Sequence, residues 1–265
     1  KGIEIDKIKN YFRLPSLKVD KISPKFPKNP NFEKWLKFNT LNHKIEGYKI
    51  VLISLKSKDY PPGDMDYKQM ISLAEIAEKY SFGEIRVTHE QNLVLPHVKI
   101  IELFEIWKIL DSNKLATPNI GLLTDSICCP GMDYCALATA RSIPIAQKIT
   151  NFFEAKKKQD EIGPLKIKIS GCINACGHHH VGNIGILGLD KNGQEFYQIT
   201  LGGSSKENAS IGKIIGSSFS SSEIIPAIDK ILDVYLKKRK KNQTFIETLE
   251  QIGLKPFQEA LYDNN

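Results

Sequence analysis

The sequence predicts an α+β protein, with a smaller open-sheet unit followed by a larger unit in which helices flank a mixed sheet. A strand, a helix, two strands and a second helix follow one another over residues 45–112, the order expected of a compact α+β unit. Residues 113–265 contain further strand and helix patterns and all five cysteines. A chain of 265 residues, 41% of them hydrophobic, can bury one large core or two modest ones.

The elements of the first unit follow from apolar patterns and chain breakers. Asp66 is placed to cap a helix whose apolar face continues to Tyr80. Ile85 and Val87 alternate with charged neighbours, which indicates a strand, and Pro96 is expected to close the strand after it. The predicted elements are a strand over residues 48–56, a helix over 66–80, strands over 84–88 and 92–95, and a helix over 98–110.

The second unit begins near Thr117. Asp133 is placed to cap a helix that runs towards Ala155, and Pro144 should divide that helix into two pieces because proline removes a backbone donor. Asn192-Gly193 is a hairpin turn signal. The other predicted elements are a strand over residues 165–169, hairpin strands over 184–189 and 195–201, a polar spacer over 217–222, a helix over 223–236 and a helical tail over 245–262.

The positive charge is concentrated in residues 1–44. This segment has eleven Lys and Arg against four Asp and Glu, a surplus that equals the formal net charge of +7 of the whole chain. Its four prolines and weak periodicity predict a basic connecting arm. Because no aromatic interleaving or recognition module accompanies the lysines, a solvated linker is favoured over a nucleic-acid-binding arm.

Composition also indicates the compartment. Five cysteines in 265 residues do not make a disulfide scaffold, so we expect a reducing cytoplasm. No stretch approaches the roughly 18 apolar residues of a membrane span, and the start of the sequence lacks the layout of a signal peptide. Since the first residue is Lys1 and not methionine, we expect a piece or processed form of a longer polypeptide.

Two cysteine pairs predict a metal centre. Cys129 and Cys135 have five residues between them, and Cys172 and Cys176 have three, with glycines in or beside both loops. Structural zinc usually takes pairs two to four residues apart, so an iron–sulfur cluster is favoured over zinc and over inert cysteines in ordinary glycine turns. We expect Cys135 in the first turn of a helix, where a thiolate is favoured, and Cys128 packed as a small apolar group.

The cysteine loops resemble the paired signature of the sirohaem-dependent sulfite and nitrite reductases. The resemblance lies in the sequences CPGMDYC, which begins at Cys129, and GCINACG, which begins at Gly171, and in the hairpin that ends in Gly202-Gly203. The preceding unit resembles the ferredoxin-like half-domain of that family, with Arg86–Asn92 at the place of its Arg-x-Thr-x-x-Gln element.

The resemblance implies an organisation and a set of cofactors. After the linker arm that composition predicts over residues 1–44, it implies a ferredoxin-like half-domain over 45–112 and an α/β domain for a 4Fe-4S cluster and sirohaem over 113–265. The cluster would be held by Cys129, Cys135, Cys172 and Cys176. Cys176 would also bridge to the sirohaem iron, and Asn174, Gly202 and Gly203 are the other candidate cofactor contacts.

The implied function is that of the carboxy-terminal half of an assimilatory sulfite reductase haemoprotein, which reduces sulfite to sulfide with six electrons. The Cys129 loop looks closer to sulfite-reducing members, and reduction of nitrite to ammonia is the alternative. Candidate catalytic residues are His178, His179 and Arg86. The implied partners are ferredoxin or a flavoprotein reductase as donor, and an amino-terminal half of the same polypeptide with the basic substrate clamp.

Two interpretations from other classes stay open. An iron–sulfur electron carrier without its own active site would bind a cluster but no haem. A zinc-stapled nucleic-acid binder would use the basic leader and would show DNA affinity that falls steeply with salt. We expect neither a nucleic acid nor a membrane as partner.

Overall fold

The computed structural model of the chain describes residues 24–58 and 60–263. Contacts within the chain divide it into two compact units. Segments Ser54–Met65 and His89–Asn92 interrupt the first unit along the sequence but belong to the second. The first unit otherwise extends to Ala116, and the rest of the second begins at Thr117.

The first unit contains a four-stranded antiparallel sheet in the order β1-β2-β4-β3. Buried Trp35, Leu73 and Ile106, one from each helix, form part of its core. Helix α1 contacts β2, and α2 contacts β4. The elements are α1 (Pro30–Asn39), β1 (Thr40–Asn42), β2 (Tyr48–Ile53), α2 (Tyr67–Tyr80), β3 (Arg86–Val87), β4 (Leu93–Lys99) and α3 (Leu103–Ser112), with a 3-10 turn at Ile100–Glu102 before α3.

The predicted helix that begins at Asp66 is confirmed. Asp66 precedes α2, and its side chain accepts a hydrogen bond from the Gln69 amide at 2.9 Å. The Gln69 side chain in turn accepts from the Asp66 amide at 3.0 Å, which completes a capping box.

The prediction of a connecting arm over residues 1–44 is wrong for residues 30–42, which form α1 and β1. Pro30 is the first residue of α1, a position where its missing amide hydrogen costs nothing, and Asn29 caps the helix. Phe32 and Trp35 are buried. The prolines that suggested a linker therefore include a helix start; residues 1–23 of the predicted arm lie outside the described residues.

Pro96 does not close a strand, because β4 continues to Lys99. The pairing of β2 with β4 shifts register between Lys49 and Val51, opposite Pro96 and His97. A proline is tolerated at such a bulge because the ladder hydrogen bond is already interrupted there. The second helix consequently begins later than predicted, since Val98 and Lys99 belong to the strand.

The second unit contains a mixed sheet in the order β10-β8-β7-β6-β5. Strands β5, β6 and β7 pair in parallel, and β7 and β8 form the predicted antiparallel hairpin around Asn192-Gly193. Both turn residues have positive φ, as a type I′ turn requires. The elements are β5 (Ile127–Cys128), α4 (Ile143–Lys156), α5 (Gln159–Ile162), β6 (Ile167–Ser170), β7 (Ile184–Lys191), β8 (Gln194–Leu201), β9 (Lys213–Ile214, paired with β8), β10 (Phe219–Ser220), α6 (Ile224–Lys238), α7 (Phe245–Ile252) and α8 (Lys255–Tyr262).

Of the two helical pieces predicted between Asp133 and Ala155, the first is wrong, and the second, expected to restart near Ile143, is confirmed. Gly131–Asp133 form one 3-10 turn, and α4 begins only at Ile143, with Pro144 in its first turn. Asp133 instead forms an ion pair with Arg141 at 3.5 Å. Cys135 therefore lies outside any α-helix, and its amide donates to the Gly131 carbonyl at 2.9 Å.

No helix in the part of the chain that the structure describes is long and apolar enough to cross a membrane.

Candidate metal centre

The first cysteine loop comprises residues 129–142, between β5 and α4. The Cys129 amide donates to the Ile169 carbonyl at 3.1 Å, which continues the parallel pairing of β5 with β6. The chain then turns back, and the Met132 amide donates to the Ala140 carbonyl at 3.2 Å. The loop is therefore a folded turn with its own backbone hydrogen bonds.

The second cysteine loop comprises residues 171–178 and follows β6 directly. The Ala175 amide donates to the Cys172 carbonyl at 3.1 Å, and the His178 amide donates to the Ala175 carbonyl at 2.7 Å. Ala175 and His178 have φ values of 56° and 55°, which non-glycine residues rarely adopt. Two tight turns in succession thus bring Cys172 and Cys176 onto one short loop.

The two cysteine loops are in direct contact. The Gly171 carbonyl accepts hydrogen bonds from the amides of Thr139 and Ala140 at 2.9 and 3.0 Å, and the Gly171 amide points at Cys129 Sγ at 3.1 Å. A Cβ atom at position 171 would lie 2.6 Å from the Ala140 carbonyl oxygen. Any side chain there would push the loops apart, so glycine permits their contact.

The five thiols differ in environment. Cys129 and Cys172 are buried, Cys135 is half-buried and Cys176 is exposed. Burial, with the neighbouring Cys129 as a smaller cause, raises the pKa of Cys128 to about 12, so this thiol stays protonated and suits the apolar role predicted for it. All five thiols are free.

Within residues 24–58 and 60–263, no three His, Cys, Asp or Glu side chains stand close enough together to hold one metal ion. That finding concerns single ions, and ligation by Cys129, Cys135, Cys172 and Cys176 stays a prediction. The donor set nevertheless fits an iron–sulfur cluster: four soft thiols come from two touching loops, and a backbone amide points at one sulfur.

A buried charge cluster joins the stems of the two loops. Lys56 Nζ, with no exposed side-chain surface, donates to Asn92 Oδ1 at 2.7 Å and to Asp125 Oδ1 at 3.1 Å. Lys166, just before β6, reaches the other oxygen of Asp125 at 3.1 Å and Glu90 at 2.6 Å. Asp125 lies just before the first loop and Lys166 just before the second. The Asp125 carboxylate therefore connects the two segments, here called stems, that lead into the cysteine loops.

The pKa values in this cluster reflect two opposing effects. Burial alone would raise the pKa of Asp125, but the charges of Lys56 and Lys166 hold it below its ordinary value. Burial lowers the pKa of Lys56, and attraction by Asp125 offsets this only in part. Sequence reasoning missed this cluster, although charged residues within apolar strand patterns, such as Lys166, were its available signal.

Gln91 fixes the residue before the first loop. Its Nε2 donates to the Cys128 carbonyl at 2.8 Å, and its Oε1 accepts from the Cys128 amide at 3.2 Å. The amide side chain therefore pairs with β5 as a neighbouring strand would. Gln91 closes the Arg-x-Thr-x-x-Gln element, so sequence reasoning noted the motif but not this role.

The candidate catalytic residues lie in different surroundings. Arg86 belongs to the first unit, where its exposed guanidinium pairs with Glu84 at 2.6 Å. His178 and His180 are exposed in the second unit. His179 is buried, and burial, assisted by the adjacent His180, lowers its pKa to about 4. Its Nδ1 has no hydrogen-bond partner among the described residues.

The other candidate cofactor contacts also have defined positions. Asn174 is exposed, and in the described ranges its side chain forms no hydrogen bond. Gly202 has a φ of 92°, and a Cβ at Gly203 would lie 2.5 Å from the carbonyl oxygens of His180 and Gly182. Backbone packing within the chain is therefore sufficient to explain both glycines.

The chain is similar in sequence to curated nitrite and sulfite reductases. The curated chloroplastic ferredoxin–nitrite reductase of Arabidopsis thaliana is 26% identical over 227 residues, which cover 83% of this chain and 37% of that protein. The NADPH sulfite reductase hemoprotein beta-component of Bacillus licheniformis is 29% identical over 199 residues, covering 71% of this chain and 33% of that protein. This chain thus spans only about a third of the length of these relatives.

A solved structure of the Mycobacterium tuberculosis NirA protein superposes with a TM-score of 0.67 at 22% identity, over 80% of this chain and 39% of that one. This likeness concerns the fold, and the predicted fold class, a ferredoxin-like half-domain followed by an α/β domain with a mixed sheet, is confirmed. Residues 60–113 match the nitrite/sulfite reductase ferredoxin-like half domain. Residues 122–265, more than half of the chain, match the nitrite and sulphite reductase 4Fe-4S domain, and the chain therefore belongs to the nitrite and sulphite reductase family.

Proposed function

We propose that this chain is the cluster-bearing, carboxy-terminal half of an assimilatory sulfite reductase haemoprotein, with Cys129, Cys135, Cys172 and Cys176 as ligands of a 4Fe-4S cluster. The observation that carries this proposal is the contact between the cysteine loops, in which the Gly171 amide lies 3.1 Å from Cys129 Sγ. An amide aimed at sulfur is a usual feature of cluster loops and stabilises a thiolate there.

The exposed thiol of Cys176 suits the second part of the proposal, in which this sulfur also meets sirohaem. When bound, the two cofactors would pass six electrons from the external donor to an anion, a reduction of sulfite to sulfide that takes up six protons and releases three water molecules. The chain itself holds the cluster between two touching loops, and Gln91 fixes the entry to the first of them.

Proton supply and anion binding are further tasks of the protein. His178 follows Cys176 by two residues and is exposed, so we assign it as a candidate proton donor. Buried His179, whose pKa is about 4, is neutral at neutral pH and suits hydrogen bonding better than charge stabilisation. Arg86 is already paired with Glu84, so we propose that the clamp for the anion comes mainly from an amino-terminal half.

Sulfite is proposed as the substrate because the Cys129 loop looks closer to sulfite-reducing members of the family. Nitrite is the second candidate, since ferredoxin–nitrite reductases are among the relatives. Ferredoxin or a flavoprotein reductase would be the donor. Five free thiols suit a reducing compartment, for which we propose the cytoplasm.

Anaerobic reconstitution tests the proposal. Iron, sulfide and sirohaem are supplied to the wild type and to four variants in which one proposed ligand is replaced by serine, and absorption, EPR and metal content are measured. We expect about four irons per chain in the wild type, and loss or gross alteration of the cluster in each variant. Cys128→Ser is the matched control and should keep the cluster.

Each other result has a distinct meaning. Zinc without iron in the wild type would contradict the proposal, and so would loss of the cluster in Cys128→Ser alone. Cluster signals without haem uptake, in a protein that includes the amino-terminal half, would instead support the electron-carrier hypothesis. Comparing turnover of sulfite and nitrite by that longer protein distinguishes the two substrates.

A further inference from the structure

Ser142 stands where the two cysteine loops meet. It is fully buried, and its Oγ lies 3.3 Å from Cys129 Sγ. It also occupies the residue before α4, a position where serine usually accepts a hydrogen bond from a helix amide. Here the side chain forms no such cap bond, so its hydroxyl is directed to sulfur instead.

Two glycines, one from each loop, make room for this hydroxyl. A Cβ atom at Gly131 would lie 2.9 Å from Ser142 Oγ, and a Cβ at Gly171 would lie at the same distance from it. Since real Cβ atoms do not approach other atoms so closely, a larger residue at either position would displace the hydroxyl. The hydroxyl is therefore enclosed by backbone of both loops.

The direction of the hydrogen bond follows from the chemistry of the ligand. In the free thiol either Cys129 or Ser142 can donate. A sulfur that ligates iron is a thiolate and has no proton, so Ser142 must then be the donor. Together with the Gly171 amide at 3.1 Å, it would give this sulfur two donors.

We propose that Ser142 is a positioning residue that donates a hydrogen bond to the cluster-ligating sulfur of Cys129 and thereby raises the reduction potential of the cluster. This inference rests on the proposed function, in which Cys129 ligates the cluster. Hydrogen bonds to sulfur withdraw negative charge from the cluster, which favours the reduced state. The residue thus sets how readily an electron enters the chain, without contacting substrate.

The test is an EPR-monitored redox titration of the reconstituted cluster in the wild type, Ser142→Ala and Ser142→Thr. At a fixed potential we expect Ser142→Ala to lower the reduced-to-oxidised ratio by about fivefold, which is about 40 mV at 59 mV per tenfold change for one electron. Ser142→Thr keeps the hydroxyl and should stay close to the wild type.

Ser126→Ala is the matched control. Ser126 is also fully buried, two residues before Cys128, but its Oγ has no hydrogen-bond partner in the described part of the chain. This variant should leave the potential unchanged. An equal shift in both alanine variants would mean a general effect of core loosening and would overturn the inference.

The remaining outcomes also decide the question. A Ser142→Ala cluster with the wild-type potential would overturn the inference while leaving the proposed function intact. If Ser142→Ala holds no cluster, Ser142→Thr decides: a wild-type potential supports the role of the hydroxyl, and loss of the cluster there too overturns it. A wild type without any cluster would overturn the proposed function, and this inference with it.

Discussion

The two cysteine loops are held in different ways. Side chains anchor the first loop: Gln91 pairs with Cys128 at its entry, Arg141 pairs with Asp133 within it, and Ser142 contacts Cys129. Backbone groups of the second loop take part in the bonds that hold it: besides its backbone–backbone bonds, the Gly171 carbonyl accepts from Thr139 Oγ1 at 3.0 Å, the Gly171 amide points at Cys129 Sγ at 3.1 Å, and the Gly177 amide donates to Ser170 Oγ at 3.2 Å.

The side chains at the tip of the second loop are left available. Ile173 is 83% exposed, Cys176 is exposed, and Asn174 forms no side-chain hydrogen bond within the described ranges. Tyr134 and Leu137 of the first loop are also exposed, at 77% and 73%, so both loops present side chains that another group can cover. Under the proposed function, sirohaem is that group.

Breaking the charge cluster that ties both stems should have the largest effect. Asp125→Asn leaves buried Lys56 without its carboxylate, so we expect the free energy of unfolding to fall by about 3 kcal/mol or more. Thermal and chemical denaturation measure this loss of stability. Because the charge cluster connects the two cysteine loops, the variant should also lose the iron–sulfur cluster.

Glu259→Gln is the control for that experiment. It removes an exposed pair with Lys255, at 3.7 Å, and should change stability by less than about 0.5 kcal/mol. A similar loss of stability in both variants would show that the buried charge cluster contributes no more to the free energy of unfolding than a surface ion pair does.

The next effect concerns His179, the buried residue directly after the second loop, and depends on pH. His179 has a folded-state pKa of about 4 against an ordinary value of 6.5, so between these values the unfolded chain binds a proton that the folded chain does not. The contribution of His179 to the free energy of unfolding is therefore unreduced above pH 6.5. It falls by up to about 3 kcal/mol as the pH drops to 4.

Replacing the titrating group tests this assignment. His179→Asn should flatten the dependence of the melting temperature on pH between 6.5 and 4, whereas His180→Asn, in the exposed neighbour, should retain most of it. If both variants follow the wild-type curve, another group causes the acid sensitivity.

An intermediate effect is expected at the entry to the first loop. Gln91→Ala leaves the amide and carbonyl of Cys128 without their side-chain partner, so we expect a loss of about 2 kcal/mol and faster loss of the cluster to a chelator. Gln258→Ala removes one hydrogen bond to the Ile215 carbonyl, away from both loops, and should leave the rate of cluster loss unchanged. Equal rates in all three proteins would refute a role for Gln91 in the loop.

The sequence predicts what depends on neighbouring residues and misses what depends on distant ones. The capped helix at Asp66 and the hairpin at Asn192-Gly193 are confirmed because each is specified within a few residues. Asp133 lacks the glutamine that completes the capping box of Asp66, since Ala136 stands at that position, and its carboxylate pairs with Arg141 instead. The missing capping partner is visible in the sequence, but the ion pair is not.

In the candidate metal centre too, only features of short segments could be predicted from the sequence. Cysteine spacing and the family resemblance pointed to four ligands, since both are properties of short segments. The contact of Ser142 with Cys129 and the pair of Lys56 with Asp125 were not predictable, because these partners are 13 and 69 residues apart in the sequence. Long-range packing creates such contacts, and no local pattern encodes them.

The smallest effect on stability is expected at Asn174. The same residue gives the sharpest test of the difference between the two cysteine loops. Its exposed side chain has no partner among the described residues, so Asn174→Ala should change the free energy of unfolding by less than about 0.5 kcal/mol. If the second loop is completed by a cofactor, the same variant should bind less sirohaem per cluster, measured as the haem-to-iron ratio after reconstitution. Asn208→Ala, at an exposed asparagine whose side chain likewise forms no hydrogen bond in the described part of the chain, should keep the wild-type ratio. Equal ratios in both variants would show that Asn174 does not contact the haem, and the unused side chains of this loop would need another explanation.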